Sequence, residues 1–367
     1  MPPPDPSKAV PAPPRKGRGA IGNPEGRYER QTREAIDDGW WEEPEAPALA
    51  TTVSEDHSRT VISRNTSPDI PFDRSINPYR GCEHGCIYCF ARPTHAFLGL
   101  SPGLDFETKL FAKADAARLL AEELRRPRYR AQPIMLGANT DPYQPVERKR
   151  RITRAILEVL AACDHPVAIA TKSALVVRDL DILAPMARRK LASVGISLTT
   201  LDPALARVME PRAAAPAKRL AAIRAAADAG VPVTVMAAPI IPFVNDQELE
   251  RILEAAAAAG ASAASRVLLR LPLELKELFE EWLRAHFPDR AERVLACVRD
   301  CRGGSLYDAR WGERMRGSGP WAELLHKRFD LACRRFGLAS PALTTRALDC
   351  TRFRPPPADP RQRSLLL

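Results

Sequence analysis

The sequence predicts an α/β fold, namely a partial (βα)6 TIM-type barrel with a C-terminal helical extension and a disordered N-terminal tail. Three observations lead to this prediction. Short apolar runs alternate with amphipathic segments in the middle of the chain, a Pro-rich and acidic stretch precedes them, and helical patterns alone follow them. Continuous apolar strands that alternate with helices are typical of a parallel sheet, and the C-terminal ends of such strands carry the site.

The expected tail covers residues 1–56. Residues 1–14 are rich in proline, a short basic run follows, and acidic residues then continue to Glu45. Such a composition buries too little apolar surface to order a chain, so we expect it to be mostly disordered or extended. Trp40 and Trp41 are the exception, and we expect this pair to dock on the body of the protein.

The expected barrel covers residues 57–275. Its predicted strands are 75–79, 133–137, 167–171, 194–199, 233–238 and 267–271. Its predicted helices are 115–126, 151–163, 179–191, 215–230 and 247–260. Six βα repeats over about 200 residues fit an open, partial barrel better than a closed barrel of eight.

The expected C-terminal extension covers residues 276–367. Helical patterns occupy 279–287, 289–299 and 321–336, and glycine-rich loops separate them. We expect these helices to cap the open edge of the barrel.

Composition places the chain among cytoplasmic proteins without a membrane span. Hydrophobic residues make up 45% of the chain, but no run of 18 apolar residues free of charge occurs. No apolar signal segment opens the sequence, and eight cysteines among 367 residues are too sparse for a disulfide framework.

Charge is distributed unevenly along the chain. Residues 1–56 contain 7 Lys and Arg against 11 Asp and Glu, a net charge of −4. Because the whole chain has a net charge of +10, residues 57–367 carry about +14. A basic body is compatible with nucleic acid or another polyanion as a partner. The abundance of Ala and Arg throughout the chain offers a compositional explanation for the same charge.

The most specific signal is a group of three cysteines at the end of the first predicted strand. Cys82, Cys86 and Cys89 follow the spacing C-x3-C-x2-C, and Gly81 and Gly85 allow the loop to turn tightly. Three thiolates on one short loop can hold three corners of an iron–sulfur cube. The fourth iron would then be open to a substrate or cofactor.

A structural zinc site is the main alternative for this loop. Zinc requires four ligands, usually from two paired loops. His84 or His95 could supply the fourth ligand beside the three cysteines.

An aromatic residue before the last cysteine completes a motif that resembles the radical S-adenosylmethionine (SAM) superfamily. The wider run 67–95 is similar to a branch of that superfamily related to spore photoproduct lyase, a DNA-repair enzyme, and the resemblance extends from about residue 60 onward. It implies a [4Fe-4S] cluster on Cys82, Cys86 and Cys89, with SAM on the open iron. It also implies the six-stranded barrel, and it places Tyr88 near the adenine of SAM.

Polar residues stand in or beside the predicted apolar strands at Lys172, Ser197 and Arg270. Burial of a charge without a partner destabilises the fold by several kcal/mol, so these residues predict a ligand or an ion pair. An ion pair of Lys172 with Asp141 is the structural alternative.

The resemblance assigns SAM contacts to several of these strand ends. A hydroxyl after the second strand, a lysine on the third and a serine on the fourth correspond to Thr140, Lys172 and Ser197. Asn139 and the backbone near Ala238 are weaker candidates. Arg212 could reach the SAM carboxylate or the substrate, or else pair with Glu210.

One position departs from the lyase. By our alignment, Ala138 occupies the place of the lyase's catalytic cysteine, and alanine cannot donate a hydrogen atom. Tyr143, in the following loop, is a tentative catalytic residue that could relay a radical, although an aromatic residue in a turn is more often part of the packing.

The sequence therefore predicts a radical SAM enzyme with a [4Fe-4S] cluster and S-adenosyl-L-methionine as cofactors. The resemblance implies that a reductant such as flavodoxin or ferredoxin drives reductive cleavage of SAM to a 5′-deoxyadenosyl radical, which abstracts hydrogen from an unidentified substrate. Nucleic acid is one class for that substrate. A non-enzymatic zinc or iron–sulfur module that binds nucleic acid, and a DNA-lesion lyase, are the alternatives. Cys297 and Cys301, one helical turn apart, could ligate an auxiliary cluster.

Overall fold

The computed structural model of the chain describes residues 14–29, 49–340 and 347–357. The strands are β1 (Thr52–Glu55), β2 (Ser63–Arg64), β3 (Arg74–Ile76), β4 (Tyr79–Arg80), β5 (Lys109–Ala112), β6 (Ile134–Leu136), β7 (Val167–Thr171), β8 (Ala192–Ser197), β9 (Val233–Ile240) and β10 (Ala263–Leu268). The helices are α1 (Leu104–Thr108), α2 (Ala116–Leu124), α3 (Glu147–Arg150), α4 (Ile152–Ala162), α5 (Leu180–Arg188), α6 (Pro203–Met209), α7 (Pro216–Asp228), α8 (Leu249–Ala258), α9 (Leu275–His286), α10 (Ala291–Asp300), α11 (Glu313–Arg316) and α12 (Gly319–Phe336).

The main sheet has the order β10-β9-β8-β7-β6-β3-β2. Six of its strands, β3 and β6 to β10, are parallel and follow one another in chain order, and β2 pairs with β3 in the antiparallel sense. Successive βα repeats produce this order because each helix returns the chain to the neighbouring position. The predicted α/β class with a parallel sheet of six strands is confirmed, and within the described ranges no pairing closes it from β10 to β2.

The predicted strand boundaries agree closely with the structure in the apolar centre of the sheet. β7 coincides with its prediction, whereas β10 begins four residues before the predicted 267–271. The residues of β10 are mainly small, with the sequence Ala-Ala-Ser-Arg-Val-Leu, so hydrophobicity alone places the strand too late.

A second, three-stranded sheet beside the barrel was not anticipated from the sequence. β5 pairs in parallel with β1 and antiparallel with β4, directly before the cysteine loop. β1 lies inside the segment expected to be a tail.

The expected tail is partly packed against the body. Residues 14–29 contain no helix or strand, but Ala20 and Ile21 are only 1% and 3% exposed. The described residues 14–29 thus lack regular secondary structure, as expected for this segment, but some of their side chains are buried. Residues 1–13 and 30–48, including Trp40 and Trp41, lie outside the described residues.

The C-terminal helices contact two parts of the barrel. Phe279, Trp282 and Leu283 of α9 are buried in a core that also contains Ile87 of the cysteine loop. α12 lies against α8, and Ala339 after it pairs with Ala263 at the edge strand β10. Among the described helices, none has the length and apolarity needed to cross a membrane.

Candidate active site

The cysteine loop follows β4 and presents three free thiols. Cys82 and Cys86 are each 6% exposed, and Cys89 is half-buried. Gly81 and Gly85 turn the loop with φ angles of 74° and 65°. A Cβ on Gly85 would stand 2.7 Å from Glu107 Oε2, so the second turn has no room for a side chain.

Two buried side chains fix the backbone of this loop. Gln144 donates from Nε2 to the Gly81 carbonyl at 3.2 Å and accepts from the Glu83 N–H at 2.8 Å, which holds both sides of Cys82. Arg92 donates to the carbonyls of Gly85 and Cys86. The loop therefore has a defined shape that depends on protein groups alone.

The thiols suit a strongly bound cationic centre. Burial raises the pKa of Cys82 well above its usual value, and it also raises the pKa of Cys86 despite the nearby Lys172. A desolvated thiolate is unfavourable unless a metal binds it, because ligation replaces the lost hydration. Three soft sulfur donors on one loop fit an iron–sulfur cluster.

The histidines considered for a zinc site have other neighbours. Nδ1 of His84 lies 3.3 Å from Asp141 Oδ2, and Nε2 of His95 lies 3.0 Å from the Lys109 carbonyl. Within the described part of the chain, no group of three or more His, Cys, Asp or Glu side chains, the three cysteines included, has the arrangement that holds a metal ion. Both histidine rings are thus engaged by other protein groups.

Asp141 connects the cysteine loop to the strand ends. Its carboxylate accepts from Thr171 Oγ1 at 2.7 Å and from the Lys172 N–H at 2.7 Å, and it faces His84. Burial would raise the pKa of Asp141, but the charge and hydrogen bond of His84 and the other donors outweigh it and lower the pKa to about 2. The expected alternative of an Asp141–Lys172 ion pair is wrong, because Asp141 binds the backbone N–H and not the ammonium group.

Tyr88 and Lys172, two of the expected SAM contacts, lie near each other. Lys172 Nζ lies 5.6 Å from the centre of the Tyr88 ring, and it forms no ion pair with any described residue. The Tyr88 hydroxyl donates to buried Glu210. Glu210 also accepts from Thr199 Oγ1 at 2.8 Å and pairs with Arg219, so the tyrosine ring has a fixed position.

The other expected SAM contacts lie at neighbouring strand ends. Ser197 Oγ donates to the Ala238 carbonyl at 3.1 Å, so these two expected contacts are neighbours. Thr140 is buried, and its hydroxyl donates to the Tyr79 carbonyl at 2.6 Å. The Thr140 hydroxyl therefore has only its oxygen lone pairs left for a ligand. The Asn139 N–H donates to Asn77 Oδ1 at 2.9 Å.

Arg212 and Tyr143 have surroundings that differ from the expectations. Arg212 pairs with Glu83 of the cysteine loop at 3.0 Å, not with Glu210, because Arg219 already occupies that carboxylate. Tyr143 is 1% exposed in the core, and its hydroxyl has no hydrogen bond of 3.5 Å or less to a described residue. This environment suits packing, and the role of Tyr143 as a radical relay stays a prediction.

A segment near the N-terminus, residues 18–21, lies directly on the cysteine loop, and we call it the strap. The N–H groups of Gly19 and Ala20 donate to the carboxylate of Glu107 at 3.0 and 2.8 Å, and the same carboxylate pairs with Arg92. A Cβ on Gly19 would stand 1.7 Å from the Gly85 carbonyl oxygen. The strap thus forms one wall of the loop.

Sequence reasoning missed the residues that fix the site. Arg92, Glu107 and Gln144 hold the loop, and Glu210 holds Tyr88. In the sequence, these residues are recognisable only as charged or amide side chains close to the cysteine motif and to the strand ends. That pattern identifies candidate residues but not the groups to which they bind.

One family model covers this part of the chain. Residues 76–256, slightly less than half of the chain, match the model of the Radical SAM superfamily, so the chain contains a radical SAM domain. Enzymes of the superfamily use a [4Fe-4S] cluster and SAM.

Relatives are found in bacteria and archaea. An uncharacterized protein of Mycobacterium tuberculosis is 41% identical over 226 residues, which are 61% of this chain and 66% of the relative. An uncharacterized protein of Methanocaldococcus jannaschii is 27% identical over 175 residues, which are 47% of this chain and 62% of that protein. The chain thus spans slightly less than two thirds of the length of these relatives.

Among solved structures, a spore photoproduct lyase variant with bound AdoMet and dinucleoside spore photoproduct shares the fold. Its TM-score is 0.53 at 16% identity, over 78% of this chain and 80% of the lyase chain. At this identity the likeness concerns the fold alone.

Proposed function

We propose that the chain is a radical SAM enzyme in which Cys82, Cys86 and Cys89 ligate a [4Fe-4S] cluster. The observation that carries the proposal is the cysteine loop, whose three thiols are free and whose Cys86 lies near the ammonium group of Lys172. When bound, the cluster and SAM supply a 5′-deoxyadenosyl radical, with an electron from a reductant such as flavodoxin or ferredoxin.

The protein's own groups bind and orient SAM. Lys172 suits the carboxylate of SAM. Its ammonium group has no acidic partner among the described residues, and the SAM carboxylate would be one. Tyr88 offers an apolar ring to the adenine, and the bond from its hydroxyl to Glu210 prevents the ring from rotating away. Ser197 and the backbone at Ala238 form a polar edge beside it, where hydroxyl or amino groups of SAM would bind.

The lyase reaction is not the one that we propose. By our alignment, Ala138 occupies the position of the cysteine that donates a hydrogen atom in the lyase, and the alanine methyl group cannot be that donor. The substrate is therefore different, or its product radical is quenched in another way.

Metal analysis after anaerobic reconstitution tests the proposed ligands. The wild-type protein should bind about four irons with an equal amount of sulfide per chain. C82A, C86A and C89A should each lose most of that iron. C333A is the matched control, because Cys333 is a half-buried free cysteine on α12. Equal iron in C86A and the wild type, or one zinc ion in place of the cluster, would show the proposal to be wrong.

A further inference from the structure

Arg270, at the C-terminal end of β10, is a largely buried cation without a partner among the described residues. Its guanidinium carbon lies 4.5 Å from the ring centre of Phe90, the residue that follows Cys89. Burial is the largest influence on the pKa of Arg270 and lowers it, whereas Tyr307, Asp69 and Cys89 nearby act in the opposite direction. No ion pair or hydrogen bond joins the Arg270 side chain to a described residue, unlike Arg92, which pairs with Glu107, and Arg219, which pairs with Glu210.

The loop that follows α10 brings more positive charge and aromatic surface to Arg270. Arg302 donates to the carbonyls of Leu268 and Leu269 at 3.1 and 2.8 Å, which attaches the loop to the end of β10. Nε of Arg302 is buried and has no hydrogen-bond partner among the described groups. Tyr307 lies close enough to influence the charge of Arg270.

The far end of this loop contacts the segment before β3. The Gly312 N–H donates to Asp69 Oδ1 at 2.7 Å, and Arg314 pairs with the same carboxylate. Trp311, directly before Gly312, is 60% exposed, and Phe90 is 43% exposed. The loop thus spans the open side of the sheet next to the cysteine loop. We call Phe90, Arg270, Arg302, Tyr307 and Trp311 the β10 rim.

We propose that the β10 rim is a substrate subsite, in which Arg270 binds a backbone phosphate of a single-stranded nucleic acid and the exposed aromatic rings stack on its bases. The inference rests on the proposed function, because it concerns the substrate of the same site. It assigns a ligand to a charged group at a strand end that is not among the proposed SAM contacts.

Two features favour a nucleic acid strand over an acidic peptide. Arginines next to exposed aromatic rings are the combination that binds single strands, because the cations follow the phosphates and the rings accept any base. An acidic peptide would use the charges but not Phe90 and Trp311. Residues 57–367 also carry about +14, which would attract an extended polyanion.

Fluorescence anisotropy with a labelled single-stranded 12-mer of mixed sequence tests the inference on the reconstituted full chain. R270Q should weaken binding on the order of tenfold and reduce the slope of log affinity against log salt by about one. W311A should weaken binding severalfold without changing that slope, because stacking releases no counterions. R118Q is the control, since Arg118 is an exposed residue of α2, and it should bind like the wild type.

R270Q with the thermal midpoint of the wild type and unchanged affinity and salt slope would overturn the inference. A poly-glutamate peptide that competes as well as the unlabelled 12-mer would overturn it too. Should R270Q fail to fold, W311A alone decides, and wild-type affinity in that variant contradicts the subsite. Release of 5′-deoxyadenosine by the wild type is measured separately, so the failure of this inference is distinguishable from the failure of the proposed function.

Discussion

Two buried carboxylates, Asp141 and Glu210, determine how side chains from separate strands meet at the cysteine loop. Asp141 accepts from donors on β7 and on the loop after it, and Glu210 accepts from Tyr88 and Thr199. Hydrogen bonds to charged acceptors contribute about 1.5–3 kcal/mol each, and an unsatisfied partner in such a site is costly. The ligand-facing residues are therefore oriented by groups that need not touch SAM.

Replacing Lys172 by methionine should weaken SAM binding on the order of tenfold or more, because the variant keeps the apolar stem and loses the charge. Anaerobic equilibrium dialysis with labelled SAM measures this effect on iron-loaded protein. K218M, at an exposed lysine of α7, is the control for loss of one positive charge. Equal SAM affinity in K172M and K218M would remove Lys172 from the pocket.

His165 should make the stability of the protein sensitive to pH. Burial lowers the pKa of His165 to about 4, and Arg74 adds to this effect. The neutral ring accepts from the Tyr129 hydroxyl at 2.7 Å and donates to the Pro166 carbonyl at 3.0 Å. The unfolded chain takes up a proton near pH 6.5 and the native chain does not, so stability falls as the pH decreases from about 6.5 towards 4.

Because of His165, the free energy of unfolding should decrease by about 2 kcal/mol when the pH is lowered from 7 to 5. Urea unfolding of the wild type and H165Q at both pH values measures it. The variant should show a pH dependence smaller by that amount, whatever its stability at pH 7. An identical dependence in both proteins would mean that His165 is not held neutral.

Among the structural elements, the strap shows how a segment with little regular structure can define a site. Its backbone N–H groups satisfy Glu107, and Ile21 lies in the same core as Ile87 of the cysteine loop. The sequence predicted a mostly disordered or extended segment, because proline and charge dominate its composition. Two apolar residues, Ala20 and Ile21, and two backbone donors nevertheless dock the strap beside the Glu107 carboxylate.

G19V should open this wall and expose the cluster to solvent. The added Cβ would overlap the Gly85 carbonyl, so the strap must move away from the loop. We expect the visible absorbance of the cluster to decay severalfold faster in air than in the wild type. G17N is the control, because Gly17 is two residues away and faces open space, and Asn tolerates its positive φ. Equal decay in G19V and G17N would show that the strap does not shield the cluster.

For the whole molecule, local patterns predicted the sheet and the cofactor loop, and long-range contacts decided the rest. β7 and β9 could be placed because their apolar runs are continuous, and the ends of parallel strands necessarily meet at one edge. Lys172, Ser197 and Ala238 could be grouped for that reason. The hydrogen bonds that link Glu83 with Gln144 and Tyr88 with Glu210 join residues 61 and 122 positions apart, and no local pattern reveals such pairings.

The assembled molecule is thus a βα sheet whose C-terminal edge carries the cysteine loop, the polar strand-end residues such as Lys172 and Ser197, and the β10 rim. Most of the positive charge belongs to residues 57–367, which include all of these. In this arrangement a substrate bound at the rim lies next to the loop that would hold the cluster.

The central claim is that this loop supports reductive cleavage of SAM. Iron-loaded wild-type protein, incubated anaerobically with dithionite and SAM, should release 5′-deoxyadenosine and methionine in equal amounts, as liquid chromatography measures. C86A should release neither, because the cluster needs all three thiolates. Wild-type protein that holds about four irons per chain and yet releases no 5′-deoxyadenosine would contradict the claim.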